Sequence, residues 1–180
     1  MPAEVLKLTQ EFLRGPKYIQ VGRRGGPAQT ISHAVQTMAS GEKTQWLARW
    51  LRDEAMGPVL IFCRTKIGAE RLAQRLSTMG IRAASLHADR TQQQRMAAVE
   101  GFRTGTYPVL VATDVAARGL DIDGIAHVVN YEVPDTPEAY VHRVGRTGRA
   151  ESTGSALTLV APEELRALRA LEKAVGVQLQ

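Results

Sequence analysis

Several things are scarce in this sequence, and each scarcity closes a line of reading. Cys63 is the single cysteine in 180 residues, so no disulfide framework can brace the chain from within. It closes the apolar run Val59-Leu60-Ile61-Phe62-Cys63 and reads as a small buried hydrophobe in a reducing cytoplasm, not as a nucleophile. No apolar stretch approaches the roughly 20 residues of a membrane-spanning helix. Met1-Pro2-Ala3-Glu4 lacks the basic and apolar segments of a secretion signal, which again points to the cytoplasm. Four scattered histidines and one cysteine offer no metal-ligand spacing. A phosphate-binding loop is missing as well. Ser40-Gly41-Glu42-Lys43-Thr44 imitates the end of one, but Thr37 stands where the leading glycine belongs, and Glu42 precedes Lys43.

What remains is ample for one globular domain. Hydrophobic residues make up 44% of the chain, enough for a core. The net charge is +5. Arginine dominates the cations, and its planar fork suits two-pronged contact with phosphate. A polyanionic partner is the class this balance favours.

Residues 2–13 have helical periodicity, with Val5, Leu8 and Phe12 on one side and Gly15-Pro16 as the stop. Tyr18-Ile19-Gln20-Val21 and the linker-like Gly22-Arg23-Arg24-Gly25-Gly26-Pro27 follow. Residues 30–38 alternate as a strand, and His33 on it is expected to be structural. Residues 1–16 are accordingly read as a residual helix, 17–38 as linker and first strand, and 39–180 as the main domain. From Glu42 onward helices and strands alternate. Helices are predicted over 42–55, 66–79, 91–103 and 163–175, and strands over 58–63, 82–87, 109–112, 127–131 and 155–160. The stripes Ala69, Leu72, Ala73, Leu76 and Met96, Val99, Phe102 should face inward. Continuous apolar strands between helices predict a parallel sheet covered on both faces, with ligands beyond the strands' carboxyl ends.

Two segments stand at such ends. His142-Arg143-Val144-Gly145-Arg146-Thr147-Gly148-Arg149-Ala150 repeats arginine every third residue between glycines. Glycines allow close backbone approach, and arginines at that spacing can converge on one anionic group, such as a triphosphate in its transition state. The other, Ala112-Thr113-Asp114-Val115-Ala116-Ala117-Arg118-Gly119-Leu120-Asp121-Ile122, begins where a buried strand ends. Asp114 could cap the turn that follows and Gly119 could end it. Thr113 and Asp121 are then left for ligand contacts, a hydroxyl toward phosphate and a carboxylate toward ribose.

These two segments, in this order, resemble the C-terminal RecA-like domain of DEAD-box RNA helicases, and the resemblance covers nearly the whole chain. Phe62-Cys63-Arg64-Thr65-Lys66 resembles motif IV, and Leu86-His87-Ala88-Asp89 with Gln92 and Arg95 resembles the QxxR region. Residues 112–122 resemble motif V and 142–150 motif VI, with a bacterial, RhlE-like character. His142 stands where the related DEAH group usually has Gln. Ala88 departs from the family's usual glycine. The resemblance implies a RecA-like parallel sheet sandwiched by helices, a P-loop NTPase fold without its own P-loop. It implies an ATP-dependent RNA helicase as the whole protein, this half being inactive alone and resembling a piece cut from a longer chain. ATP with Mg2+ would be held mainly by an N-terminal RecA-like domain. Arg146 and Arg149 would reach the γ-phosphate, Asp121 and Gly119 would border the nucleotide, and His142 would meet the other lobe's Asp-Glu-Ala-Asp motif. Arg64, Thr65, Gln92, Arg95 and Thr113 would hold RNA, while Arg118 and Arg143 would support loops or couple the two domains. The other readings are a non-catalytic RNA- or protein-binding RecA-like module and half of a superfamily 2 DNA translocase. Self-association of the isolated chain is a further expectation.

Overall fold

Short apolar runs bounded by polar turns become the strands, and the amphipathic stretches between them become the helices. A computed structural model describes residues 31–118, 122, 124–148 and 153–176. The expected segments over 2–13 and 18–21 lie outside the described residues. The strands are β1 (Ile31–Thr37), β2 (Val59–Phe62), β3 (Ala83–Leu86), β4 (Val109–Ala112), β5 (His127–Asn130) and β6 (Gly154–Val160). The helices are α1 (Lys43–Asp53), α2 (Lys66–Thr78), α3 (Gln92–Arg103), α4 (Asp114–Ala117), α5 (Pro137–Val144) and α6 (Leu165–Val175). All six strands form one parallel sheet in the order β1-β6-β5-β2-β4-β3.

Strand alternation sorts the core into two faces. Val59 and Ile61 of β2 point with Val109, Val111, Val129, Leu157 and Leu159 toward α1 and α2, where Leu47, Leu72 and Leu76 close over them. Leu60 and Phe62 point the other way, with Leu110 and Val128, against Ala98 and Phe102 of α3 and the short α4. Ala156 and Val160 continue that second face beneath Tyr140 and Val144 of α5 and Leu168 and Leu171 of α6. Side chains of this kind stabilise the fold by roughly 1.5–3 kcal/mol each when fully buried. β1 is an integral edge strand, and His33 on it lies 2.6 Å from the Tyr140 hydroxyl through Nδ1.

Two details differ from the periodicity reading. Met96 is 64% exposed, because the buried stripe of α3 runs through Ala98 and Phe102 with Val99 beside it, and Ala98 and Phe102 lie between about a third and a half of a turn from Met96. The helix α5 covers residues 137–144, where no helix is predicted above, and runs into the start of the arginine–glycine segment.

Lys43 has a structural use that its decoy motif conceals. It is 3% exposed, and its ammonium donates to the carbonyls of Tyr131 and Leu159, each at 3.0 Å, and to Glu164 Oε2 at 2.5 Å. All three protons are taken, so Lys43 ties the ends of β5 and β6 to the start of α6. Lys43→Met should destabilise the chain by roughly 3 kcal/mol, since it strands a mostly buried carboxylate and two carbonyls. Urea unfolding should show a lower midpoint with an unchanged slope.

Candidate functional site

The carboxyl ends of β2, β4 and β5 lie side by side, and the loops leaving them build the site. Its scaffold is α5. Thr136 caps that helix, its Oγ1 accepting from the Ala139 amide at 3.1 Å, and Pro137 occupies the first turn. Tyr140 and Val144 anchor the buried face. Between them sits Arg143, 3% exposed. Its Nε and Nη2 donate to the two carboxylate oxygens of Asp114, both at 2.7 Å. Its Nη1 donates to Asn130 Oδ1 at 3.1 Å, and its guanidinium lies 5.2 Å from the Phe62 ring centroid. Asn130 in turn donates to Thr158 Oγ1 at 3.1 Å. One arginine thus joins the loops after β4 and β5 to the strands beneath them. Asp114 is therefore not the helix cap that its position suggested. Thr113 holds the cap position, and the Asp114 carboxylate is committed to Arg143.

The chain after α5 is held from another side. Gly145 ends the helix, and the Arg146 amide donates to the Arg143 carbonyl at 3.1 Å. Thr147 Oγ1 is buried between the carbonyls of Ile125 and Ala126, at 2.6 and 3.1 Å. Gly148 then turns at φ +67°. Gly154 makes room for this turn, since a Cβ there would lie 2.3 Å from Thr147 Oγ1. Between these anchors the half-buried Arg146 and exposed His142 line a cleft of about 120 Å3 with Arg118, Asp114, Glu138 and Thr136. Asp114 is neutralised by Arg143, so the cleft is left with Arg118 and Arg146 against Glu138. It suits an anion. Gly119, Asp121 and Arg149 lie outside the described residues.

The residues expected to hold RNA occupy the neighbouring strand ends. Arg64 follows β2 and is about half exposed, with Nε 3.4 Å from Asp135 and Nη2 3.6 Å from Glu164. The Arg64 amide donates to Glu132, whose carboxyl is pushed up from its ordinary value by burial. Thr65 caps α2 by accepting from the Gly68 amide at 3.0 Å. Thr113 is 8% exposed and its amide donates to the Leu86 carbonyl at 3.2 Å, so β3 and β4 end together. Gln92 and the half-buried Arg95 stand on the first turns of α3, beyond β3. Arg64, Thr113 and Arg95 therefore follow three adjacent strands, while Arg146 and His142 sit over the cleft beside them. Cys63 is buried, and desolvation raises its thiol pKa well above the ordinary value, which removes it from the chemistry.

A network that sequence reading missed braces this edge. Glu70 of α2 accepts from Ser85 at 2.6 Å, from His87 Nε2 at 2.9 Å and from Arg90 at 2.8 Å. A helical carboxylate followed by a Ser-x-His-x-x-Arg segment was its sole signal, and nothing local shows that the two meet.

The fold defines a RecA-like α/β domain, one whose arginines gather at the strands' carboxyl edge. Residues 42–151 match the family described as "helicase conserved C-terminal domain". The chain belongs to that family, in its DEAD-box branch. It is 41% identical over 173 residues to the DEAD-box ATP-dependent RNA helicase CshA of Bacillus subtilis, covering 96% of this chain and 35% of that protein. It is equally identical, over 174 residues, to the ATP-dependent RNA helicase DeaD of Mycobacterium tuberculosis, covering 97% of this chain and 31% of that one. The chain thus spans about a third of the length of these curated relatives. Saccharomyces cerevisiae Dbp5 bound to RNA and ADP BeF3 superposes with a TM-score of 0.86 at 28% identity, covering 98% of this chain and 47% of that one. Escherichia coli DEAD-box protein SrmB, bound to the regulator RraA, superposes at 0.73 with 33% identity, covering 81% and 84%.

The Glu70 network carries a pH signature. Hydrogen bonds from His87 and Ser85, with Arg90 nearby, lower the Glu70 carboxyl pKa from its ordinary 4.5 to about 2. A carboxyl depressed on folding stabilises the fold above its unfolded pKa and loses that contribution as the pH falls through the folded one. Glu70→Gln should lower the melting temperature by about 2–4 °C near neutral pH. Thermal scans should show the gap from wild type closing between about pH 4.5 and pH 2.

Proposed function

We propose that this chain is the C-terminal lobe of an ATP-dependent RNA helicase, completing a nucleotide cleft and an RNA groove that a first RecA-like lobe begins. The observation that carries the reading is the Arg143–Asp114 pair, which holds His142 and Arg146 over one anion-suited cleft. Bound ATP with Mg2+, held mainly by the first lobe, supplies the transferable phosphoryl group. The residues of this lobe supply position and charge. Arg146, with Arg149, reaches into the closing cleft and offsets the charge that builds on the phosphoryl oxygens. Asp121 and Gly119 border the ribose. His142, exposed at the rim, meets the acidic motif of the first lobe.

Arg64, Thr65, Gln92, Arg95 and Thr113 grip RNA by phosphate and sugar along the adjacent strand ends. Such contacts do not depend on sequence and weaken with salt. Closure of the two lobes bends one strand and opens short duplexes, and the cleft reopens after hydrolysis. The single buried cysteine accords with a cytoplasmic protein, and no described helix is long and apolar enough to cross a membrane.

The lobe alone should not turn over ATP, because the phosphate-binding loop belongs to its partner. In the full-length protein, Arg146→Ala should reduce RNA-stimulated ATP turnover on the order of 10³-fold. The melting temperature should stay that of wild type. Turnover at the wild-type rate in that variant would remove Arg146 from the nucleotide cleft.

A further inference from the structure

The sheet's carboxyl edge carries another cationic hollow, apart from the nucleotide cleft. On α2, Arg71 and Arg75 are one helical turn apart and both exposed. They line a cavity of about 350 Å3 with Thr44, Gly68, Leu72 and Tyr131. No carboxylate is among these six residues. Among the described residues neither arginine makes a side-chain hydrogen bond or an ion pair, because the nearby acids are engaged elsewhere. Glu70 faces Ser85, His87 and Arg90, and Glu164 takes Lys43. The opposite wall presents hydroxyls. Tyr131 and Thr44 share a hydrogen bond of 2.8 Å, and burial raises the Tyr131 phenol above its ordinary value, with Glu132 adding to the rise and Arg75 opposing it. At one end the floor is bare backbone, since Gly68 must lack a Cβ that would lie 2.9 Å from the capping Thr65 Oγ1.

We infer that this hollow binds phosphate groups and carries the RNA backbone onward from Arg64 and Thr65, across the start of α2. Side chains one turn apart have Cβ atoms about 5–6 Å from each other, so two guanidinium forks can engage neighbouring phosphates. Two uncompensated cations, hydrogen-bonding hydroxyls and an open backbone floor together suit phosphate better than a carboxylate or an apolar ligand. Thr65 caps α2 at its Oγ1, so it joins the Arg64 loop to the cavity directly. The inference rests on the proposed RNA-binding reading and extends it to a face that the strand-end residues do not reach.

The test is the doubly substituted full-length protein, Arg71→Gln with Arg75→Gln, which keeps helix propensity and replaces no buried side chain. Binding of a long oligouridylate should weaken on the order of tenfold. The log–log dependence of affinity on salt should become shallower by roughly 1.4, the value for two phosphate contacts on a single strand. An Arg95→Gln protein measured alongside separates the two claims. If Arg95→Gln weakens binding and the double variant leaves both affinity and salt slope at wild type, the hollow is overturned and the helicase reading stands. If neither variant changes RNA binding, both fall. Tripolyphosphate titrated without RNA distinguishes the source of the phosphate. Its tight binding, lost in the double variant while RNA binding is unchanged, would overturn RNA as the occupant in favour of a small polyphosphate.

Discussion

The geometry of this domain turns on one ion pair, a buried arginine held by a partly exposed carboxylate. Arg143 and Asp114 are 29 residues apart in sequence, on different helices, and meet with two hydrogen bonds of 2.7 Å. A guanidinium removed from water is costly unless each donor finds an acceptor. Here the acceptors are Asp114, Asn130 and the Glu132 carbonyl, with the Phe62 ring against the cation's face. The arrangement admits few alternatives, and that is its value for function. It sets the rotation of α5, and α5 decides where His142 and Arg146 stand. His142 lies on that eight-residue helix and Arg146 in the turn just beyond it, where Thr147 adds a second anchor.

Charge is distributed by the same logic across the carboxyl edge. Asp114 takes Arg143, Glu164 takes Lys43, and Glu70 takes His87 and Arg90. The acids near the site are largely engaged by cations that hold the scaffold. Arg118 at the cleft rim is exposed, while Arg64 keeps contacts with Asp135 and Glu164. A net charge of +5 is modest, but its local effect depends on which cations the fold has already neutralised. Lys43 and Arg146 illustrate the two fates. Lys43 has the sequence surroundings of a phosphate ligand and is fully committed to protein oxygens. Arg146 has the glycine-rich surroundings of a flexible loop, yet its neighbours hold it in place.

Much of the scaffold was legible in the sequence because its signals are local. Residues 109–112 are apolar throughout and form a strand of the same four residues, and Ala69, Leu72, Ala73 and Leu76 face inward from α2 as their spacing required. The end of β4 therefore pointed to Thr113 without a structure, while Arg64 came from the resemblance. The helix α5 was harder, since the glycines after Val144 dominate the reading. Thr136-Pro137 is a cap followed by proline, and that pair was the available clue. Met96 was misplaced because it shares a side of α3 with Val99, while the side turned to the sheet is centred on Ala98 and Phe102. The bonds of Glu70 and Arg143 join elements distant in sequence, and no periodicity encodes them.

The account stands or falls on the bond between Arg143 and Asp114, and a double-mutant cycle measures it directly. Arg143→Met, Asp114→Asn and the double variant would be compared with wild type by urea unfolding. A clamp of this geometry predicts a coupling free energy of about 2–3 kcal/mol between the two sites. Additive losses, with coupling below about 0.5 kcal/mol, would show that the pair does not hold α5 in place and would contradict the account.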